Sequence, residues 1–525
     1  MDANNSLAII LPGVVVALAA VAVFAVDLIT RRKSVLAWVA SAGLIAAAAV
    51  AVGQWLALSE SSRGGGGRDP EVGFAGMVAL DKYAVFCVVL FAVIGVLSIM
   101  LSDSYLARRR AARGEFYGLL LLVITGMIGM VVSTDLIAFF ISFELMSLPT
   151  YVLAGYLWRQ ERSGEASLKY FVTGAFSSAI LAFGLALVYA ATGQTNYAAI
   201  AEGLGALEAV DARGLLVAAL ALVVTGFGFK ISAVPFHAWA PDVYEGAPTP
   251  VTAFMSVGVK AAAFAGFAKL FVIALGPEWA TWVDALIILA VLTMVVGNVL
   301  ALPQRNLKRM LAYSSIAHAG YLTLGLVAAG GPGGRLGMSA VLFYLAAYAF
   351  MNLGAFGVLI WIRNRRPFRY TLDEVSGLAR SMPWAALFTV LFMVSLAGIP
   401  PTIGFWGKFY LFTAVVQSGY TWLAILAVVM SSVSAFYYLR VVWHMYFKEA
   451  PEGAVAGVAE AEAESGAESG ASVPVETGDG VEPQTSELGV VAAVSLAAAA
   501  VLVLGVFPEW LLSSAEDAVR LILGG

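Results

Sequence analysis

Fourteen runs of roughly twenty apolar residues divide this chain, and that feature limits its fold more than any other. A backbone in hydrocarbon has no water to bond, so only helices and closed barrels can cross a membrane. Barrel strands alternate over about ten residues, whereas these runs are continuous over about twice that length. The expected fold is therefore an all-α polytopic membrane protein, and a composition 61% hydrophobic and 12% charged agrees. The runs are Leu7 to Ile29, Val35 to Leu58, Val78 to Leu101, Phe116 to Val132, Leu136 to Leu157, Leu168 to Ala191 and Leu215 to Ala240. They continue with Val251 to Leu275, Trp279 to Leu302, Leu307 to Ala329, Leu336 to Ile362, Trp384 to Gln417, Trp422 to Phe447 and Leu488 to Leu512.

The first run, with Asp2 before it and Arg31, Arg32 and Lys33 after it, reads as a retained anchor entering from outside. That orientation puts 18 basic residues in cytoplasmic loops and 5 in external ones. The positive-inside rule then supports external termini on both ends. Gly64 to Gly67 is expected to be a flexible external loop. Glu449 to Glu487 holds ten acidic residues and no Lys or Arg, and reads as a disordered cytoplasmic loop because it lacks apolar surface to bury. The alternative is a partner-binding acidic arm.

Seven basic residues fall within or at the ends of runs: Lys82, Lys169, Lys230, Lys260, Lys269, Lys408 and Arg440. Lys230 precedes Pro235 by five residues in FKISAVPFHAWAPDVYEGAPTP, where the missing amide and the clash with Ile231 must break the helix. Irregular backbone survives in a membrane only against protein or a wet cavity, so the break points to an internal polar path. His237 follows, placed to orient the broken helix, with Asp242 and Glu245 in a polar turn. Lys260 lies ten residues past Pro250, roughly 15 Å along a helix and about half the depth of a bilayer core. In SLAGIPPTIGFWGKF, Pro400 and Pro401 break another long run, and Lys408 follows two turns later, roughly 10 Å on. The broken helices are thus the seventh and twelfth, and an odd offset of five inverts orientation. The expected plan is an inverted repeat with an ion site in each half.

Glu144 lies nine residues past Asp135 in DLIAFFISFELMSLPTY, and His318 eleven past Leu307 in YSSIAHAGY. Glu144, Lys230, Lys260, His318 and Lys408 therefore form a line of titratable groups through the membrane centre. Lysine is a poor metal ligand, and proton conduction fits the set better. Burial weakens a lysine's hold on its proton and a nearby carboxylate restores it, so Glu144 near Lys230 would set the next transfer. The alternatives are a structural ion pair for Glu144 with Lys230, structural charges at Lys260 and Lys408, and for His318 a neutral imidazole bonded to a carbonyl. Lys169 and Lys269 lie near run ends, where long side chains can snorkel, and Asp81, Lys82 and Arg440 read as interfacial anchors. A single Cys87 excludes internal disulfides, thiol zinc sites and iron–sulfur ligation. No Gly-rich nucleotide fingerprint follows a strand, so any redox chemistry belongs to another polypeptide.

Three motifs, FKISAVPFHAWAPDVYEGAPTPVTAF followed by Lys260, KRMLAYSSIAHAGYL and GIPPTIGFWGKFYLF, resemble the antiporter-like membrane subunits of bacterial NADH:quinone oxidoreductase, respiratory complex I. That family also includes multi-subunit sodium/proton antiporters, which remain the alternative reading. The VYEGAPTPVTAF wording and a lysine at 260 are those of its N branch. The resemblance implies about 14 transmembrane helices with two inverted five-helix repeats. Residues 1–114 would hold helices one to three, 115–275 the first repeat, 276–448 the second, 449–487 the acidic loop, and 488–525 the last helix and tail. It implies Glu144 and Lys230 as a coupled pair, Lys260 as central relay, Lys408 as terminal group, His318 as bridging relay and Lys169 as accessory base. It also implies no cofactor in this chain, with FMN, iron–sulfur clusters and quinone in partner subunits. The expected partners are antiporter-like subunit M and the small subunits K and J, in a bacterial cell membrane and without nucleic acid. The long acidic loop is a departure from the family pattern.

Overall fold

The computed structural model describes residues 3–63, 71–205, 210–449 and 487–520. The Gly64 to Gly67 loop and, apart from its end residues, the acidic segment lie outside them. The spanning helices are α1 Ala3–Ile29, α2 Ser34–Arg63, α3 Lys82–Ala107, α4 Gly114–Val132, α5 Leu136–Ala154, α6 Glu161–Thr192 and α7 Val210–Lys230. They continue as α8 Thr249–Ala274, α9 Trp279–Ala301, α10 Leu307–Ala328, α11 Gly334–Arg365, α13 Thr421–Phe447 and α14 Leu488–Val506. These are thirteen helices, among the described residues, long and apolar enough to cross a membrane. The remaining expected span, α12, consists of two halves, Pro383–Ala397 and Ile403–Gln417.

Polar caps set several starts. Asp81 accepts from the Ala84 amide at α3, Asp135 from Ile137 and Ala138 at α5, and Asn306 from Arg309 at α10. The cap on α3 corrects the third run. Val78–Leu80 is not helix but pairs antiparallel with Glu71–Gly73, and the span starts at Lys82.

The two breaks share a local plan. After α7 ends at Lys230, Ser232 takes φ 61°, three residues before Pro235. After the first half of α12 ends at Ala397, Gly398 takes φ 86°, three residues before Pro401. A left-handed residue ends each helix and the proline prevents its resumption. The seventh run therefore does not reach Ala240 as helix; a separate short helix, Trp239–Gly246, follows the break. The first helix pair of each half is also built alike. α4 meets α5 at Gly126, where a Cβ would fall 2.4 Å from the Met146 nitrogen. α9 meets α10 at Gly297, where it would fall 2.6 Å from the Ala317 nitrogen. Only glycine allows backbones this close.

The most apolar stretches of α8, α10 and α11 are 89%, 94% and 94% buried, against 28% for α1. These three helices are the most enclosed of the spans, and two of them carry Lys260 and His318. α8 is not a regular helix, since Met255–Val259 and Leu270–Ala274 are π-turns on either side of Lys260–Lys269. Such turns recur at functional sites. At the start of α14, Glu487 accepts from Arg108 at 3.2 Å and from Arg365 at 2.8 Å, fastening that helix to α3 and α11.

Candidate functional site

Lys230 ends α7 at the break and is 1% exposed. Its ammonium donates to the Ser147 hydroxyl at 2.6 Å and lies 4.8 Å from the Phe143 ring centre, with Tyr151 and Tyr170 at 5.7 and 5.8 Å. Glu144 and Ser147 are three residues apart on α5 and so share a face. The structure brings Glu144 and Lys230 into one neighbourhood without an ion pair: Ser147 takes the lysine's hydrogen bond, while Glu144 Oε1 is buried with no hydrogen-bond partner among the described residues. The rings supply attraction to the cation.

Lys260, 3% exposed, donates to the carbonyl and the hydroxyl of Ser315 on α10, at 2.8 and 2.7 Å. One turn along, His318 bonds two phenols. Its Nδ1 is 2.6 Å from the Tyr344 hydroxyl and its Nε2 3.0 Å from that of Tyr438. The reading of His318 as an imidazole resting on a carbonyl is thereby corrected.

Lys408 belongs to the second half of α12 but reaches back to the first. It donates to the carbonyls of Leu396 and Ala397 at 3.0 and 2.9 Å, and to Ser431 on α13 at 2.8 Å. Two of the carbonyls freed by the break are thus satisfied by the lysine. Its ammonium also lies 5.2 Å from the Tyr321 ring centre. Each of the three lysines thus contacts a serine hydroxyl on another helix, and none has a carboxylate within ion-pair distance among the described residues.

Lys169 stands apart. It pairs with Glu165 at 2.6 Å and with Asp242 at 2.9 Å, and Arg309 joins Asp242 at 2.8 Å and Glu245 at 3.2 Å. Burial pushes the Asp242 carboxyl up, but the hydrogen bonds from Lys169 and Arg309 outweigh it and hold the group below its ordinary value. These side chains line a cavity of about 190 Å³. His237, half-buried between break and short helix, takes part in none of the lysines' hydrogen bonds.

Two basic residues differ from expectation. Lys269 does not snorkel: it is 1% exposed, pairs with Asp81 at 2.7 Å and donates to the Val131 carbonyl at 3.0 Å. It lies nine residues after Lys260, which on a helix is half a turn off, so the two face opposite ways. Asp81 is accordingly a buried partner and not an interfacial anchor. Lys308, counted above as a loop charge, is 3% exposed and donates to the carbonyls of Glu245 and Ala247 at 2.9 and 2.7 Å.

Sequence reasoning missed the serines and tyrosines. Ser147 had a signal, lying one turn from Glu144, and so had Ser314 and Ser315, about one turn before His318. Ser431, Tyr344 and Tyr438 had none, because their partners lie on other helices.

Helical breaks that carry buried lysines, with a second half built on the plan of the first, define a polytopic membrane subunit of the antiporter-like class. Residues 133–434 match the family described as NADH:quinone oxidoreductase/Mrp antiporter, TM. The chain belongs to that family, in its subunit N branch. It is 41% identical over 98% of both chains to NADH-quinone oxidoreductase subunit N of Trichlorobacter lovleyi. It is 44% identical to subunit N 1 of Koribacter versatilis, over 84% of this chain and 86% of that one. Among solved structures, a chain of Thermus thermophilus respiratory complex I with bound aureothin aligns at TM-score 0.71 and 31% identity, covering 98% of this chain and 100% of that one. A chain of the Mrp complex from Dietzia aligns at TM-score 0.81 over 100% of both, at 23% identity, a likeness of fold.

Proposed function

We propose that this chain is a proton-translocating membrane-arm subunit of an NADH-quinone oxidoreductase, driven by quinone reduction elsewhere in the assembly. The observation that carries the reading is the set of three buried lysines, each hydrogen-bonded to a serine and none to a carboxylate. A lysine buried in a salt bridge, as Lys269 is with Asp81, is a structural element. One held by hydroxyls and carbonyls alone can take or lose a proton without leaving a carboxylate unpaired. Glu144, with one carboxylate oxygen free, acts on Lys230 through space: when its charge is removed, the lysine's hold on its proton weakens.

Protons then move among Lys230, Lys260, His318 and Lys408, with Lys169 as an accessory base and His237 orienting the break. Residues 115–275 and 276–448 form the two inverted repeats, each with one broken helix, and residues 1–114 and 488–525 flank them. Both termini face outside, as the distribution of basic loops supports. The partners are other subunits of the complex, subunit M and the small subunits K and J among them, and FMN, iron–sulfur clusters and quinone belong to those partners.

The test is purification through a tag on this chain in mild detergent, with mass spectrometry and an NADH:quinone activity assay on the product. Co-purification with flavin and iron–sulfur subunits and inhibitor-sensitive activity is expected. Recovery with small antiporter subunits, and sodium-dependent transport without NADH, would overturn the reading in favour of a sodium/proton antiporter.

A further inference from the structure

His318 is held by two phenols, and one of them continues. The hydroxyl of Tyr438 on α13 bonds the Ser314 hydroxyl on α10, one turn toward Leu307 from the histidine. Tyr438 and Ser314 are fully buried, and His318 is 2% exposed. Every atom of the series His318 Nε2, Tyr438 Oη, Ser314 Oγ can both give and accept a hydrogen bond, which a backbone carbonyl or an ammonium cannot. Neither hydroxyl is explained by packing, since phenylalanine and alanine would fill the same space without polar atoms to satisfy.

We infer that Tyr438 and Ser314 form a proton-conducting branch that loads His318 from the half of the membrane holding the Leu307 end of α10. The inference rests on the reading of His318 as a relay. In the resting arrangement Nδ1–H donates to Tyr344 and Nε2 accepts from Tyr438. A proton arriving at Ser314 binds its oxygen. The hydrogen that Ser314 held passes to Tyr438, and the Tyr438 hydrogen passes to Nε2, leaving both hydroxyls neutral and the imidazole protonated. Nδ1–H keeps its bond to the Tyr344 oxygen, so the loaded state is an imidazolium held between two neutral phenols. Tyr344 packs on Gly407, where a Cβ would fall 2.2 Å from its ring, so the Nδ1 side of His318 adjoins the turn carrying Lys408. One proton enters the branch, and the histidine holds it.

A parallel chain of side chains does not offer the same route. Tyr437 donates to Asn298 at 3.1 Å, and the Asn298 amide donates to Tyr321 at 3.1 Å. An amide nitrogen has no lone pair available to accept a proton, so this chain holds α9, α10 and α13 together and conducts nothing.

The experiment measures NADH-driven proton uptake by inverted membrane vesicles containing the whole complex, with NADH:ferricyanide reductase as the measure of assembly. Tyr438→Phe and Ser314→Ala are each expected to lower proton uptake about fivefold or more at unchanged assembly, consistent with loss of one positioned proton-transfer group. Ser314→Thr, which keeps the hydroxyl, is expected to restore most of it, which a purely structural role would not require. The double variant should be no slower than the slower single one, because the two groups act in series. Wild-type uptake in Tyr438→Phe and Ser314→Ala alongside a defective His318→Ala would overturn the branch and leave the relay standing. Wild-type uptake in His318→Ala would overturn both.

Discussion

Lys269 and Asp81 form an ion pair of 2.7 Å with side chains 1% and 4% exposed, joining the end of α8 to the start of α3. Removing one partner of such a pair leaves a buried charge without compensation, and this destabilises by about 3–5 kcal/mol, whereas removing both charges is often neutral. Lys269→Met should therefore lower the thermal stability of the detergent-purified complex sharply. Adding Asp81→Asn, which keeps an oxygen for the Ala84 amide, should recover most of the loss. If the double variant melts as early as the single one, the pair is not the source of the stability.

Lys408→Arg keeps a cation and donors for Leu396 and Ala397 but cannot be deprotonated. The complex should assemble, and proton uptake by vesicles should fall about tenfold or more, in line with the loss of a positioned acid–base group. Full pumping in the arginine variant would remove Lys408 from the relay.

Ser147→Ala takes away the one hydrogen bond that Lys230 makes among the described residues, a loss of about 1–3 kcal/mol for a buried charged donor. Slower pumping with partial rescue by Ser147→Thr is the expected result. Glu144→Gln should slow pumping as well, by removing the charge that acts on Lys230 while keeping the shape. Equal pumping rates in wild type and Glu144→Gln would assign the carboxylate a packing role.

Because Asp242 is held below its ordinary value, its ion pairs with Lys169 and Arg309 contribute fully above the unfolded value, about 4. They are lost as pH falls through the lower folded value. On acidification below about pH 4, wild-type protein should lose thermal stability more steeply than Asp242→Asn. Parallel pH profiles for the two would show that the cluster contributes nothing on the acid side.

The helices and both breaks were legible because each rests on a local signal: a run of apolar residues, or a proline at depth. The depth of Lys230, Lys260 and Lys408 followed from counting residues along a helix. Their partners did not. Ser147 lies 83 residues from Lys230, and Asp81 188 from Lys269, and no periodicity within one helix records which face of another it meets. Lys308 misled for a different reason. A lysine beside an arginine at the start of a span has the pattern of a cytoplasmic anchor, and only the carbonyls of Glu245 and Ala247, brought over it from the turn before α8, make it a buried donor. The hairpin Glu71–Gly73 with Val78–Leu80 escaped because Val78 to Leu101 reads as one apolar run whose only charges, Asp81 and Lys82, pass for interfacial anchors, and the capping by Asp81 marks the boundary only once it is seen.

An ammonium has three N–H groups. At Lys408 all three have acceptors, in Leu396, Ala397 and Ser431; Lys260 uses two, both on Ser315, and Lys230 one, on Ser147. Lys408 therefore cannot give up a proton without breaking or reversing one of its bonds to the end of its own broken helix or to α13, while Lys230 can discharge and keep its bond to Ser147. Charge at one end of the series is written into how the helices hold one another, and at the other end it passes without moving them.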